Sequence, residues 1–120
     1  MPGLTNTASA QALDAVFPNT GSDQYVAYGT SSTTESTAIA RTAIGTWNAA
    51  TSADPSVKSN ANALTSAPAT GSATITHFAV FSASTSGTQL TDWTALSSSK
   101  TVAVNDTLTW AAGALQITLT

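Results

Sequence analysis

The stretch Lys100 to Thr120, KTVAVNDTLTWAAGALQITLT, decides the fold that the sequence predicts. Large apolar residues alternate with small or polar ones in three short runs, which is typical of half-buried β-strands. The runs are Val102 and Val104, then Leu108 and Trp110, then Leu115, Ile117 and Leu119. Asn105-Asp106 and Ala111-Ala112-Gly113 separate them with residues that suit turns. The stretch therefore predicts a closing β-meander whose large apolar side chains lie in the core.

Strand-like segments also precede this stretch. Ala73–Phe81 is the strongest of them, because apolar residues occur on both of its faces, as in a strand in the middle of a sheet. The others are Gln24–Gly29, Ala38–Ile44, Lys58–Ser66 and Gln89–Leu96. About seven or eight short strands at intervals of roughly ten residues are typical of a sandwich or barrel. We predict a mainly β protein, a single antiparallel β-sandwich of jelly-roll-like character.

One segment near the N-terminus has helical periodicity. Between Asn6 and Phe17, apolar residues recur at a spacing of about 3.6 residues, so they share one side of a helix. Asn6 or Thr7 is predicted to cap the helix, and Pro18 to end it. Leu4, just before it, has no obvious partner in a sandwich. We therefore expect residues 1–18 to contact a neighbouring subunit or to pack on the chain's own sheet.

Composition limits the classes of function. The chain has 120 residues, of which 8% are charged, with a net charge of −3 and no cysteine, so we expect one domain over residues 1–120 without disulfides. Arg41, Lys58 and Lys100 are its only cations, which is too few to follow a nucleic-acid backbone. No apolar run is long enough for a transmembrane helix, and the first residues do not resemble a signal peptide. We expect synthesis in the cytoplasm, and no nucleic acid or membrane as a partner.

No residues form a recognisable catalytic, cofactor or metal motif. His77 is the only histidine, and its place inside the strongest strand favours a structural role. Trp110 alternates in phase with Leu108, which predicts a core position. Trp47 and Trp93 are the better candidates for an interaction surface, because their rings could stack on a sugar or pack against a neighbouring subunit.

The chain resembles a family of small structural proteins of tailed bacteriophages, described as tail-fibre-like, minor tail or capsid-decoration proteins. Three segments carry the resemblance: Ala40-Arg41-Thr42-Ala43, THFAVFSASTSGTQLTDWTAL, and the closing SKTVAVNDTLTWAAGALQITLT. The last of these follows the family pattern W-G-A-L-x-x-x-K-T-V-x-x-G-D-T-L-x-F-A-A-G-A-L-x-I-T-L most closely. The resemblance implies a virion structural protein without enzymatic activity.

The resemblance leaves the position in the virion open. The first hypothesis is a capsid decoration (cement) protein, which would bind the major capsid protein on the head surface and neighbouring copies of itself, with a trimer favoured. The alternative is a minor tail or tail-fibre component that recognises a host glycan through Trp47 or Trp93. Under either hypothesis the protein needs no cofactor.

Overall fold

The computed structural model describes residues 4–19 and 24–119 of the chain. The elements of these residues follow one another as α1 (Asn6–Val16), β1 (Tyr25–Gly29), β2 (Thr42–Ala43), β3 (Ser56–Ser59), β4 (Leu64–Thr65), β5 (Ala73–Phe81), β6 (Thr94–Val102), β7 (Thr109–Trp110) and β8 (Gln116–Leu119). The sheets are antiparallel wherever the register is defined. The prediction of a mainly β protein with antiparallel sheets and one short helix is confirmed. The single domain over residues 1–120 stays a prediction, since the described residues divide into two compact units.

Helix α1 belongs to the first unit, which comprises the described residues of 1–22, 44–63 and 110–120. Thr5 caps the helix, because its side chain accepts a hydrogen bond from the Ala8 N–H at 3.1 Å. The predicted caps, Asn6 and Thr7, are therefore wrong by one or two residues. Leu13 and the following Phe17 are buried, whereas Val16 is exposed.

The sheet of the first unit pairs β3 with β8. Asn60, which follows β3 and is fully buried, extends this pairing. Its side chain accepts a hydrogen bond from the Leu115 N–H at 2.9 Å and donates to the carbonyl of Ala111 at 3.1 Å, while its own carbonyl accepts from the Gly113 N–H at 2.8 Å. The side chain and the carbonyl of Asn60 thus hold the turn between β7 and β8 through three hydrogen bonds. Because Asn60 interrupts the strand pattern, the predicted strand Lys58–Ser66 divides into β3 and β4.

The second unit comprises the described residues of 23–43 and 64–109. Its main sheet has the order β2-β1-β5-β6. The central position predicted for Ala73–Phe81 is confirmed, since β5 lies between β1 and β6 and is buried on both faces, at Ile75 and Ala79 on one and at Phe78 and Val80 on the other. A second sheet pairs β4 with β7, whose first residue, Thr109, is the last of this unit. The predicted strand Ala38–Ile44 is reduced to β2.

Strand β6 differs from its prediction. The sequence predicted a strand over Gln89–Leu96, but β6 begins at Thr94 and continues through Ser97–Ser99 to Val102. Ile75 pairs with Lys100 and His77 with Ala95, so two steps along β5 face five steps along β6. The three extra residues form a bulge within Leu96–Ser99. The pairs with β5 on either side of the bulge, at Ala95 and Lys100, place the serines within the strand, and side-chain periodicity alone does not reveal such pairing.

The closing stretch contains strands, but the predicted meander is wrong. Strands β6, β7 and β8 do not pair with one another in the described chain; they pair with β5, β4 and β3, respectively. The three closing strands thus find their partners in reverse chain order, which is consistent with jelly-roll-like character. The turn at Asn105, after β6, does not close a tight hairpin, because the Asn105 N–H donates to the carbonyl of Ala69 and not back to β6.

Burial along the closing stretch also departs from the prediction. Leu115 and Val102 are buried. Val104 is 57% exposed because it lies in the turn after β6. The remaining predicted core residues are half-buried, and they are Leu108, Trp110, Ile117 and Leu119.

Candidate functional site

The most distinctive surface of the second unit surrounds Trp93, before the start of β6. We call Trp93, Phe81, Arg41 and Glu35 the Trp93 surface. Trp93 is half-buried, and its ring packs at a tilt on Phe81 with the ring centroids 5.9 Å apart. It also lies so close to Gly29 that a Cβ atom there would come within 2.9 Å of the indole. The contact therefore needs glycine at position 29.

Arg41 packs against the Phe81 ring of the aromatic pair. Its guanidinium carbon lies 3.9 Å from the centroid of the Phe81 ring, a cation–π arrangement. Its Nε and Nη2 donate to the two carboxylate oxygens of Glu35, both at 2.8 Å. Its Nη1 donates to the carbonyls of Ala83 and Ser86 at 2.9 and 2.8 Å. The side chain of Arg41 is 7% exposed, so this cation is used inside the unit and is not offered to a ligand.

Arg41 thereby fixes two polar loops. The loop after β1 returns through an isolated bridge between Gly29 and Glu35. The loop over residues 82–88 is closed by hydrogen bonds between Ser82 and Thr88. Both loops meet at one guanidinium, and the fixed donor geometry of arginine suits this role. The Trp93 surface is consequently preorganised, which reduces the entropy lost on binding.

The first unit contains a different charged cluster. The Lys58 side chain is 0% exposed, and its ammonium donates to Asp14 of α1 at 2.6 Å and to the side chain of Asn19. The hydrogen bond from Lys58 to Asp14 is the main reason that the pKa of Asp14 lies below its usual value. Partial burial of Asp14 opposes this lowering, and a hydrogen bond from the Ala50 N–H adds to it. The ion pair connects α1 to β3, and a structural role accounts for all of its contacts.

The residues predicted for an interaction surface lie in different places. Leu4 is 55% exposed, just before the capping residue of α1. Trp47 is 2% exposed and packs on Phe17 with ring centroids 5.2 Å apart. It therefore cannot offer its ring to a sugar or a subunit, which corrects the prediction for this residue. Only Trp93 combines an accessible ring with an ordered surrounding.

Sequence reasoning had not assigned a role to Glu35, Phe81 or Arg41 at this surface. Glu35 and Arg41 are six residues apart, which is not the spacing of any local motif. The available signal was scarcity, because Arg41 is one of only three cations in the chain. His77, the other residue that had been considered, is half-buried, and its Nδ1 lies 2.8 Å from the Thr76 hydroxyl.

The described residues hold no cluster of acidic and histidine side chains that could bind a metal ion. Within the same residues, every buried side-chain nitrogen and oxygen has a hydrogen-bond partner. No helix of the described chain has the length and apolar character that crossing a membrane requires.

Comparison with known proteins identifies the family. A family model described as podophage GP4 fiber I protein gp80 matches residues 3–118. No curated protein matches the chain. The family description supports the predicted resemblance to structural proteins of tailed phages, and it names a fibre and not a capsid decoration protein. The chain belongs to the podophage GP4 fiber I protein gp80 family, and it is a phage structural protein associated with the virion.

Proposed function

We propose that this protein is a component of a phage fibre, and that the Trp93 surface contacts carbohydrate on the host. The family description carries the first half of the proposal, since it matches residues 3–118 and names a fibre. The capsid decoration hypothesis depended on the resemblance alone, and no feature of the described residues favours it. The proposed role is structural and adhesive, without catalysis.

The Trp93 surface supports the second half. The indole of Trp93 is half-buried, and its contacts with Phe81 and Gly29 hold it in place. A sugar ring can stack on such an aromatic ring, because the C–H groups of the sugar contact the π face. Asp92, next to Trp93 in the chain, is exposed, and so is Gln89. Their carboxylate and amide groups supply the hydrogen bonds that orient hydroxyl groups.

Fractionation of virions tests the fibre assignment. Heads and tails are separated after mild dissociation, and the protein is quantified in each fraction against the major capsid protein. We expect it in the tail and fibre fraction at a small number of copies per particle. Its recovery on heads at hundreds of copies would instead support capsid decoration.

Substitution of Trp93 tests the carbohydrate contact separately. Trp93→Ala is expected to weaken binding of the purified protein to host cells, because it removes the indole ring on which the sugar would stack. Val104→Ala, at an exposed position of the same unit, is the matched control and should bind like the wild type. Equal binding by the two variants, with unchanged melting temperatures, would exclude Trp93 as the contact while leaving the fibre assignment intact.

A further inference from the structure

Strands β6 and β8 both lie at the edge of a sheet, but only β6 carries the features that keep edges from pairing. An edge strand presents unpaired N–H and C=O groups, which natural proteins guard with bulges, charges or proline. Strand β6 has a bulge within Leu96–Ser99 and an exposed cation at Lys100. The bulge and the charge of Lys100 therefore interrupt the nine-residue edge of β6 at two places.

Strand β8 has no bulge, no charge and no proline, and only its length of four residues limits pairing. Its register with β3 is continuous over four residue pairs, from Ser56 with Leu119 to Ser59 with Gln116. Residues 107–119 include no charged residue and no proline. No described residue other than those of β3 pairs with β8. The side of β8 away from β3 is an open edge within the described chain.

The contacts of β3 show which groups occupy this edge. The backbone of Val57 and Ser59 bonds away from β8, to Thr51 and to the Asn48 N–H. Hydrogen bonding alternates along an antiparallel pair, so Ser56 and Lys58 bond to Leu119 and Ile117. The N–H and C=O groups of Gln116 and Thr118 therefore point outward.

The side chains of β8 also suit pairing. Ile117 and Leu119 share one face of the strand and are half-buried, while Gln116 and Thr118 are exposed on the other. Ile117 lies opposite Lys58, whose charge is already compensated by Asp14. An added strand would therefore cover apolar surface without burying a new charge.

We propose that β8 pairs antiparallel with β8 of a second copy of this chain, with the two Ile117 residues facing each other at a two-fold axis. In this register Gln116 lies opposite Thr118 of the second copy, and each such pair exchanges two N–H···O=C bonds through its outward groups. Ile117 and Leu119 remain on one face in both copies, as the hydrophobic pattern requires. The inference goes beyond the proposed function and does not depend on it.

The symmetry of the edge favours a second copy as the occupant, and the absence of charge on β8 permits one. The chain carries a net charge of −3, so two copies repel unless their contact avoids acidic groups, and β8 provides an uncharged contact. A two-fold axis uses the same edge twice and leaves no further edge of β8 open, so the association closes at two.

Measurement of molar mass during size-exclusion chromatography tests the pairing. The wild type is expected to approach twice the 12.0 kDa mass of the chain as its concentration rises. Thr118→Lys places a charge at an exposed position of the edge strand and keeps the backbone hydrogen bonds to β3, so it should remain a monomer. Thr101→Lys, at an exposed position of β6, is the matched control and should dimerise like the wild type. A monomeric wild type, a species larger than a dimer, or equal dimerisation by the two variants would overturn the proposal.

Cross-linking tests the register. The chain has no cysteine, so a single introduced thiol reports one position. Residues that face each other in a pair without mutual hydrogen bonds are about 4.5 Å apart at Cα, within the range for a disulfide. Ile117→Cys should therefore oxidise to a covalent dimer, whereas Val104→Cys, exposed in a turn, should form far less. Equal cross-linking at the two positions would contradict the register even if Ile117→Cys melted earlier than the wild type.

Discussion

Lys58 in the first unit and Arg41 in the second are both withdrawn from solvent, yet they serve different purposes. The Lys58 ammonium is fully buried and joins a helix to a strand. The Arg41 guanidinium joins two loops and supports an aromatic ring, and its partner Glu35 is 34% exposed. The comparison teaches that one cation stabilises the framework, whereas the other arranges a surface. Substitutions around Lys58 should therefore cost more stability than substitutions around Arg41.

The largest loss is expected at Asn60, the buried asparagine next to the Lys58 strand. Asn60→Ala leaves the Leu115 N–H without its acceptor and removes a donor to the carbonyl of Ala111. We expect a loss of about 3 kcal/mol in the free energy of unfolding, measured by denaturant titration. Asn62→Ala, at an exposed position, is the control and should change stability by less than about 0.5 kcal/mol. A loss no greater than the control's would contradict the role given to Asn60.

The next loss is expected on removal of the partner of Lys58. Asp14→Asn leaves a buried ammonium without a carboxylate, which typically costs about 3–5 kcal/mol, and partial exposure of Asp14 reduces the expectation to about 2 kcal/mol. Asp92→Asn, an exposed carboxylate outside the ion pairs of the described residues, should be nearly neutral in the same denaturant titration. If both variants unfold at the same denaturant concentration as the wild type, the ion pair does not stabilise the unit.

The same pair predicts a dependence on pH. Because the pKa of Asp14 is lower in the folded state than its usual value of 3.8, the contribution of the pair is present above that value. It is lost as the pH falls through the lower, folded-state pKa. Melting temperatures measured between about pH 5 and pH 2 should therefore fall more for the wild type than for Asp14→Asn. Parallel curves for the two proteins would count against this linkage.

The smallest effect on stability is expected at Arg41. Arg41→Lys keeps the charge but cannot hold Glu35 and the two loop carbonyls together, so we expect a loss of about 1 kcal/mol. Hydrogen exchange should accelerate in residues 30–36 and 82–88, and much less in β3 and α1. Uniform acceleration along the chain would mean that Arg41 supports the framework in the same way as Lys58.

The sequence predicted the positions of the strands better than it predicted which strands pair with each other. Apolar residues on both faces identified β5, because burial on both sides leaves a pattern in the residues themselves. Strand β6 was misplaced, since its serines lie in a bulge and only the flanking pairs with β5 place them in the strand. The turns at Asn105 and Gly113 were recognised from residue type. Their pairing was not, because period-two alternation does not say which strand lies alongside.

The same limit applies to the candidate site. Trp93 could be nominated because it lies on the face of its predicted strand away from Leu90 and Leu96. Trp47 was nominated because it lies in a polar loop, but it is buried and packs on Phe17, thirty residues earlier in the chain. The contacts of Arg41 with Glu35, Ala83 and Ser86 likewise require the fold to bring separate loops together. Residue type proposed the candidates, and only tertiary contacts distinguished between them.

The central claim is that the protein belongs to a fibre of the virion, and gold labelling of whole particles tests it most directly. Val104→Cys provides one exposed thiol in a chain that otherwise has no cysteine, and phages carrying this variant can be labelled with maleimide-coated gold and imaged. We predict gold particles on the fibres and none above background on the head. Gold distributed over the capsid surface, with bare fibres, would contradict the account and favour capsid decoration.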